Sequence, residues 1–261
     1  MTRLEDLRCR PSPLPTAGLQ VSRVRLPKGI AEPLQVAKNQ LTFLMKPQES
    51  PMRIFQESQV IFVRVPKNAS NSIMATLYPG LPPARLPHYS ADFYARVFPR
   101  AFRSMRSFAL LRHPMDRFAS AFTYYRHTST KPAERRLMDE ELPFLKTLLD
   151  FVHWLNDQPD LSQTKILRWH HFHPQSAYVT DARGRIIVDL LFPVEKMGVG
   201  LQVLGRLFGR VPELERLNES KRHHHGGLPL QRIITYYADD LRLWNLAYAE
   251  KTLRSARIPP V

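Results

Sequence analysis

Two stretches of this chain share one pattern: an apolar run, a proline within two residues of a cation, then a helical pattern with small polar residues. The first is "VIFVRVPKNASNSI", residues 60–73, and the second is "SFALLRHPMDRFASAFTYYR", residues 107–126. The run ending at Val65 reads as a central strand starting at Gln59. Pro66 ends it, because proline has no N–H for the ladder. A helix is expected from near Ser72. Ser107–Leu111 reads as a second buried strand, and Pro114 and Asp116 mark the turn and the next helix start. Phe118, Phe122 and Tyr125 then recur at helical spacing. Strands alternating with helices predict an α/β fold of three layers, P-loop-like, with a central, mainly parallel sheet flanked by helices. Ligands in such sheets sit beyond the strand C-termini.

The remaining chain supplies the flanking layers. "LPFLKTLLDFVHWL" reads as a helix with Leu145, Leu148, Leu149 and Val152 on one face. "AYVTDARGRIIVDLLF" reads as two extended runs around a turn at Gly184. "KMGVGLQVLGRLFG" is expected to be a helix ending near Gly209. "LQRIITYYADDLRLWNLAY" reads as a long final helix, whole or broken in two. Residues 1–55 are rich in Pro and Arg with weak periodicity. They read as a basic arm, wrapped on the domain or partly disordered, ahead of a domain at 56–261.

The net charge of +15 over 261 residues requires an anionic partner: nucleic acid, acidic polysaccharide, a membrane surface or a phosphorylated cofactor. Cys9 is the only cysteine, which excludes an internal disulfide and a cysteine-based zinc site. No apolar run approaches the ~18 residues of a membrane span. The charged N-terminus has no apolar h-region, so the simplest expectation is the cytoplasm, though a luminal enzyme separated from its anchor would read the same way.

The two strand–loop–helix units specify the anion. Amides of the turn from Lys67 to Ser72 would converge at a helix N-terminus, where orphan N–H groups and the helix dipole favour a phosphate. Ser70 and Ser72 add hydroxyl donors, and Lys67 a mobile charge at the mouth. The same residues also suit an ordinary strand–turn–helix. In the second unit Arg112 can fork onto phosphate oxygens, with Ser120 donating from the same side. Arg117 fits either a surface or a core-facing pair. Two anion sites, each after a strand, suggest one ligand with two phosphate groups. The Gly-x-x-x-x-Gly-Lys-Ser/Thr loop is missing, which argues against a kinase-like phosphotransferase.

Here the sequence resembles a known family. "FVRVPKNASNSI" is similar to the 5′-phosphosulfate loop of sulfotransferases that use 3′-phosphoadenosine 5′-phosphosulfate (PAPS). "LLRHPMDRFASAF" is similar to their 3′-phosphate motif, Arg-x-Pro-x-x-Arg-x-x-Ser. The branch resembled is that of the carbohydrate sulfotransferases. "QSAYVTDARGRIIVDLLFPVEKM" resembles its middle segment; "LNES" and "YYADDLRLWNLAY" resemble its C-terminal Asn-x-Ser and Tyr-x-x-Asp elements. Asn68-Ala69-Ser70-Asn71 departs from the branch's usual Gly/Ala-rich run with a Thr.

The resemblance implies transfer of a sulfuryl group from PAPS to an acceptor hydroxyl, on a carbohydrate or glycan, without a metal. Lys67 would meet the bridging oxygen of the leaving phosphate. Asn68 and Ala69 (through their amides), Ser70, Asn71 and Ser72 would hold the 5′-phosphate. Arg112 and Ser120 would hold the 3′-phosphate, with Lys221 and Arg222 reaching it from a late loop. His88 is the first candidate for the general base, and Glu195 the second unless it pairs with an Arg.

His170, His171 and His173, and the run His223–His225, lack the spacing of a zinc site. Trp154, Trp169 and Trp244 read as core. Eight arginines between Arg85 and Arg126 suit either a solvated face or a groove for an acidic acceptor. The rival reading is a nucleic-acid- or polyanion-binding protein without catalysis. The charge fits it, but no zinc spacing, RNP-type motif or helix-turn-helix accompanies the charge.

Overall fold

The computed structural model describes residues 31–78, 80–81, 86–208, 227–249 and 253–254. Within the stretch read as an arm lie helices α1 (Ala31–Met45) and α2 (Met52–Gln56). Strand β1 (Val60–Val63) follows, then α3 (Ser70–Leu77), α4 (Ala91–Val97) and α5 (Pro99–Ser104). Next come β2 (Arg106–Leu111) and α6 (Pro114–Thr123), which runs into a π-turn at Tyr124–Thr128. Helices α7 (Pro132–Arg136), α8 (Leu148–Asn156) and α9 (Ser176–Val179) lead to β3 (Leu190–Pro193). Helices α10 (Met197–Phe208), α11 (Gln231–Tyr236) and α12 (Ala238–Ala249) lead to a short β4 (Leu253–Arg254).

The sheet has the order β1-β2-β3-β4, with the first three strands parallel and β4 antiparallel on β3. This is the expected α/β architecture. Strands β1 and β3 are buried along their whole length, and β2 past its first residue, because helices cover both faces. Phe62 lies opposite Phe108 in register, and their rings stack with centroids 4.6 Å apart. A polar clamp sets the β2–β3 register. The buried Asp189 carboxylate accepts from the Ser107 N–H (2.7 Å) and Oγ (2.8 Å), and the Ser107 Oγ accepts from the Asp189 N–H. A second core lies beneath α6, α8 and α11, where Phe118 stacks on Phe151 at 5.2 Å.

Three local expectations change. The strand read from Gln59 to Val65 spans only Val60–Val63, because Arg64 already turns its side chain into the following loop. The first arm of the expected hairpin is α9, whose amides are held by a buried carboxylate described below. What is left of hairpin pairing is a bridge between Thr180 and Ile186, around Gly184 at φ +76°. Leu149 is exposed. A capping box between Thr147 and Asp150 starts α8 there, so Phe151, Val152 and Leu155 form its inner face. The long final helix is broken at Tyr237. Gly209 lies outside the described residues.

Candidate active site

Strands β1 and β2 are adjacent and parallel, with Val63 opposite Ala109, so both chains leave the sheet at the same edge. The loops carrying Lys67 and Arg112 therefore lie side by side. In the first, Lys67 (φ +67°) and Ala69 (φ +53°) are left-handed, with Asn68 between them. Each such non-glycine residue stores about 1–2 kcal/mol. Alternating backbone hands turn successive N–H groups to one side and make a nest for an anion. Helix α3 begins immediately, at Ser70. The loop thus holds two left-handed residues without glycine.

Buried side chains hold the loops together. Asn68 turns inward and donates from Nδ2 to the Leu110 carbonyl (2.6 Å) and to Gln175 Oε1 (3.0 Å). That same Oε1 accepts from the Arg112 N–H (3.1 Å), and Gln175 Nε2 donates to the Arg112 carbonyl (2.8 Å). Gln175 is itself fixed from α12, where the buried Asp240 accepts from the Gln175 N–H (2.7 Å) and the Ser176 N–H (2.9 Å). Burial raises the Asp240 pKa, against the pull of Arg117 and these amides. The Tyr-x-x-Asp element is thus structural: Tyr237 donates to the Phe172 carbonyl at 2.6 Å, and Asp240 caps α9. Arg64, also buried, donates to the Leu86 carbonyl and to Asn71 Oδ1 (2.8 Å), tying β1 to α3.

Three cations converge. Arg112 reaches the Lys67 carbonyl from Nη1 at 3.5 Å. Arg117 is core-facing, 1% exposed, and donates from Nε to the Pro66 carbonyl at 3.0 Å, beneath the loop. Burial, then Arg112 and Arg117, lower the Lys67 ammonium to about 8. Among the described residues no carboxylate pairs with Lys67. Its ammonium lies over the Tyr124 ring, 4.6 Å from the centroid.

His88 borders the same loop. Its Nδ1 lies 3.0 Å from the Arg64 carbonyl, which can only accept, so Nδ1 carries the proton and Nε2 the lone pair. Burial, then Arg64, push His88 down to about 4, leaving it neutral at pH 7. His170 and His171, which no sequence motif placed here, complete a ring cluster. Their centroids are 5.9 and 6.3 Å from His88, 4.0 Å from each other, and His171 packs edge-on to Tyr124 at 4.4 Å. The only advance signal was the density of histidines in "RWHHFHP". No group of His, Cys, Asp or Glu among the described residues is arranged to hold a metal.

The other expected residues fall as follows. Ser70 and Ser72 are buried in the first turn of α3, and Ser120 is buried on α6. Glu195 is not beside His88. Its Oε1 accepts from the His113 N–H (2.8 Å) and its Oε2 from Trp244 Nε1 (3.0 Å), next to Arg112. Lys221 and Arg222 lie outside the described residues. Trp154, Trp169 and Trp244 are half-buried against the two cores. The arginine-rich stretch divides: Arg100 and Arg103 lie on α5 and Arg106 opens β2, whereas Arg112 follows the other end of that strand.

Among the described residues no helix is long and apolar enough to cross a membrane. No curated protein and no solved structure matches the chain significantly. The model of the sulfotransferase family matches residues 50–244, from the start of α2 to α12, and takes in both loops, Gln175 and Asp240. With that match covering well over half of the chain, the protein belongs to the sulfotransferase family.

Proposed function

We propose that the chain transfers a sulfuryl group from PAPS to an acceptor hydroxyl, on a carbohydrate or glycan. The observation that carries this reading is the locked pair of loops, one holding Lys67 in a backbone nest and the other Arg112, joined by Gln175. The donor set fits a ligand with two phosphate groups. Backbone amides, Ser70, Ser72 and Lys67 form one subsite, and Arg112 with Ser120 the other. Glu195 has both oxygens engaged elsewhere. When bound, PAPS supplies an activated sulfuryl group whose S–O bond to the phosphate breaks as the acceptor O–S bond forms.

The residues then act as follows. Lys67 presents its ammonium where negative charge grows on the leaving oxygen, which favours the transition state over the ground state. Arg117, under the loop, adds fixed positive potential without contacting the ligand. His88 takes the acceptor proton at Nε2, its Nδ1 already committed to Arg64. Asn68 acts through its amide, since its side chain faces the sheet. The likeness of the Gln175 and Tyr237–Asp240 segments to the carbohydrate branch favours a sugar hydroxyl as acceptor.

The test is single-turnover transfer from labelled PAPS to a panel of glycans. Lys67→Ala should slow it by about 10²–10³, as for loss of one oxyanion donor. Affinity for 3′,5′-adenosine bisphosphate should fall less, because the amides remain. His88→Ala should lower turnover with bisphosphate affinity nearly intact. Normal turnover in Lys67→Ala would end this reading.

A further inference from the structure

Tyr124 has no part in the transfer proposed above, yet its ring is the surface on which Lys67 rests. Tyr124 opens the π-turn at the end of α6, and the extra residue in that turn offsets it from the regular helix. Such single-turn π segments often mark functional positions. The Ser129 N–H closes the turn on the Tyr124 carbonyl at 2.8 Å. His171 braces the ring edge-on at 4.4 Å, and Tyr125 does so at 5.2 Å. His171 is itself buried, with a Tyr178–His170 hydrogen bond (2.9 Å) fixing the adjacent backbone.

We propose that Tyr124 is a positioning residue: its ring face holds the Lys67 ammonium charged and near the phosphate nest until an anion displaces it. This rests on the role given to Lys67 above. Among the described residues, the other ionisable groups bearing on Lys67 are Arg112, Arg117 and His171. The two arginines repel an ammonium, and His171 stays neutral because burial lowers its pKa. Among the described residues Tyr124 therefore supplies the attractive contact. A carboxylate in its place would neutralise the charge and compete with the ligand for it. A ring holds a cation through its quadrupole, leaves the charge unspent, and is left more easily. The lowered Lys67 pKa makes such support consequential, because a modest further loss would discharge the lysine at neutral pH.

The experiment reads Lys67 itself. Competitive acetylation of the full chain across pH, with the Lys67 peptide followed by mass spectrometry, gives that amine's pKa without PAPS or acceptor. Tyr124→Phe should leave it unchanged. Tyr124→Leu should lower it by about half a unit or more, the size expected for one cation–π contact. Tyr124→Trp, with a stronger ring, should hold or raise it, and serves if the Leu variant fails to fold. The alkaline limb of transfer should move with the pKa. An unchanged Lys67 pKa in the Leu variant, or one lowered in the Trp variant, overturns the proposal, as does a Phe variant that behaves like Leu. Full turnover in Lys67→Ala with these shifts intact would instead overturn the catalytic reading and leave the contact standing.

Discussion

Gln175 holds Arg112 by both of its backbone groups, accepting from its N–H at 3.1 Å and donating to its carbonyl at 2.8 Å. The carboxamide is the right group because it offers one acceptor and one donor at fixed separation. Gln175→Leu keeps the volume and removes both. It also takes from Asn68 Nδ2 one of its two acceptors and leaves the Arg112 backbone groups unpaired. We expect a loss of about 2–4 kcal/mol of stability, read by urea denaturation, since each stranded buried group costs roughly 1–3 kcal/mol. Affinity for 3′,5′-adenosine bisphosphate should fall with it. A Leu variant as stable as the parent would show that the loops hold without the clamp.

Arg112→Ala should weaken bisphosphate binding by about 2–4 kcal/mol, the range for one lost partner of a buried charge-assisted contact. Lysine should restore only part of it, because the planar fork is lost. Titration calorimetry on the three proteins decides the point. Equal affinities would remove Arg112 from the anion site.

The pH profile should have a wide plateau. In the proposed reaction His88 takes a proton only when neutral, and with its value near 4 the acid limb should lie well below the ordinary histidine range. The same proposal needs Lys67 charged, so the alkaline limb of turnover per unit KM should fall near 8. A bound anion favours the ammonium, which should carry the limb of turnover itself to higher pH. The stability effect has the opposite sense. Lys67 titrates near 8 folded and near its ordinary 10.5 unfolded. The unfolded chain thus binds more protons between those values, and stability should rise with pH across that window. Lys67→Met should flatten this rise in a pH series of denaturant melts.

Ala69 occupies a left-handed position at φ +53°. Ala69→Gly should preserve the nest and keep bisphosphate affinity. Ala69→Val places a β-branched side chain where its own backbone resists it, and should cost about 1–3 kcal/mol. Calorimetric melts and bisphosphate titrations of the pair would separate loop shape from composition.

The sheet and its two loops were legible because their signals are local. Apolar runs, Pro66, Pro114 and the cations lie within a dozen residues of one another, and parallel pairing brings them together. What escaped was convergence across the chain. His170 and His171 reach His88 only because the segment before α9 packs on the end of α6, beside the loop that follows β1. The sequence leaves Arg117 between a surface and a core-facing place, and only its Nε on the Pro66 carbonyl decides for the core. The run "AYVT" has the composition of a strand, but Asp240, more than sixty residues later, caps it as a helix. Glu195 suits a base by residue type, and its place beside Arg112 depends on where β3 ends.

The capping of Gln175 by Asp240 also bears on how the protein is made. Synthesis runs from the N-terminus, and early segments can fold while later ones are still being added. The nest, Arg112 and Gln175 are all translated before α12. Their final arrangement waits for a carboxylate more than sixty residues beyond Gln175, so a ribosome-bound chain that stops short of residue 240 carries both loops without the brace that sets them.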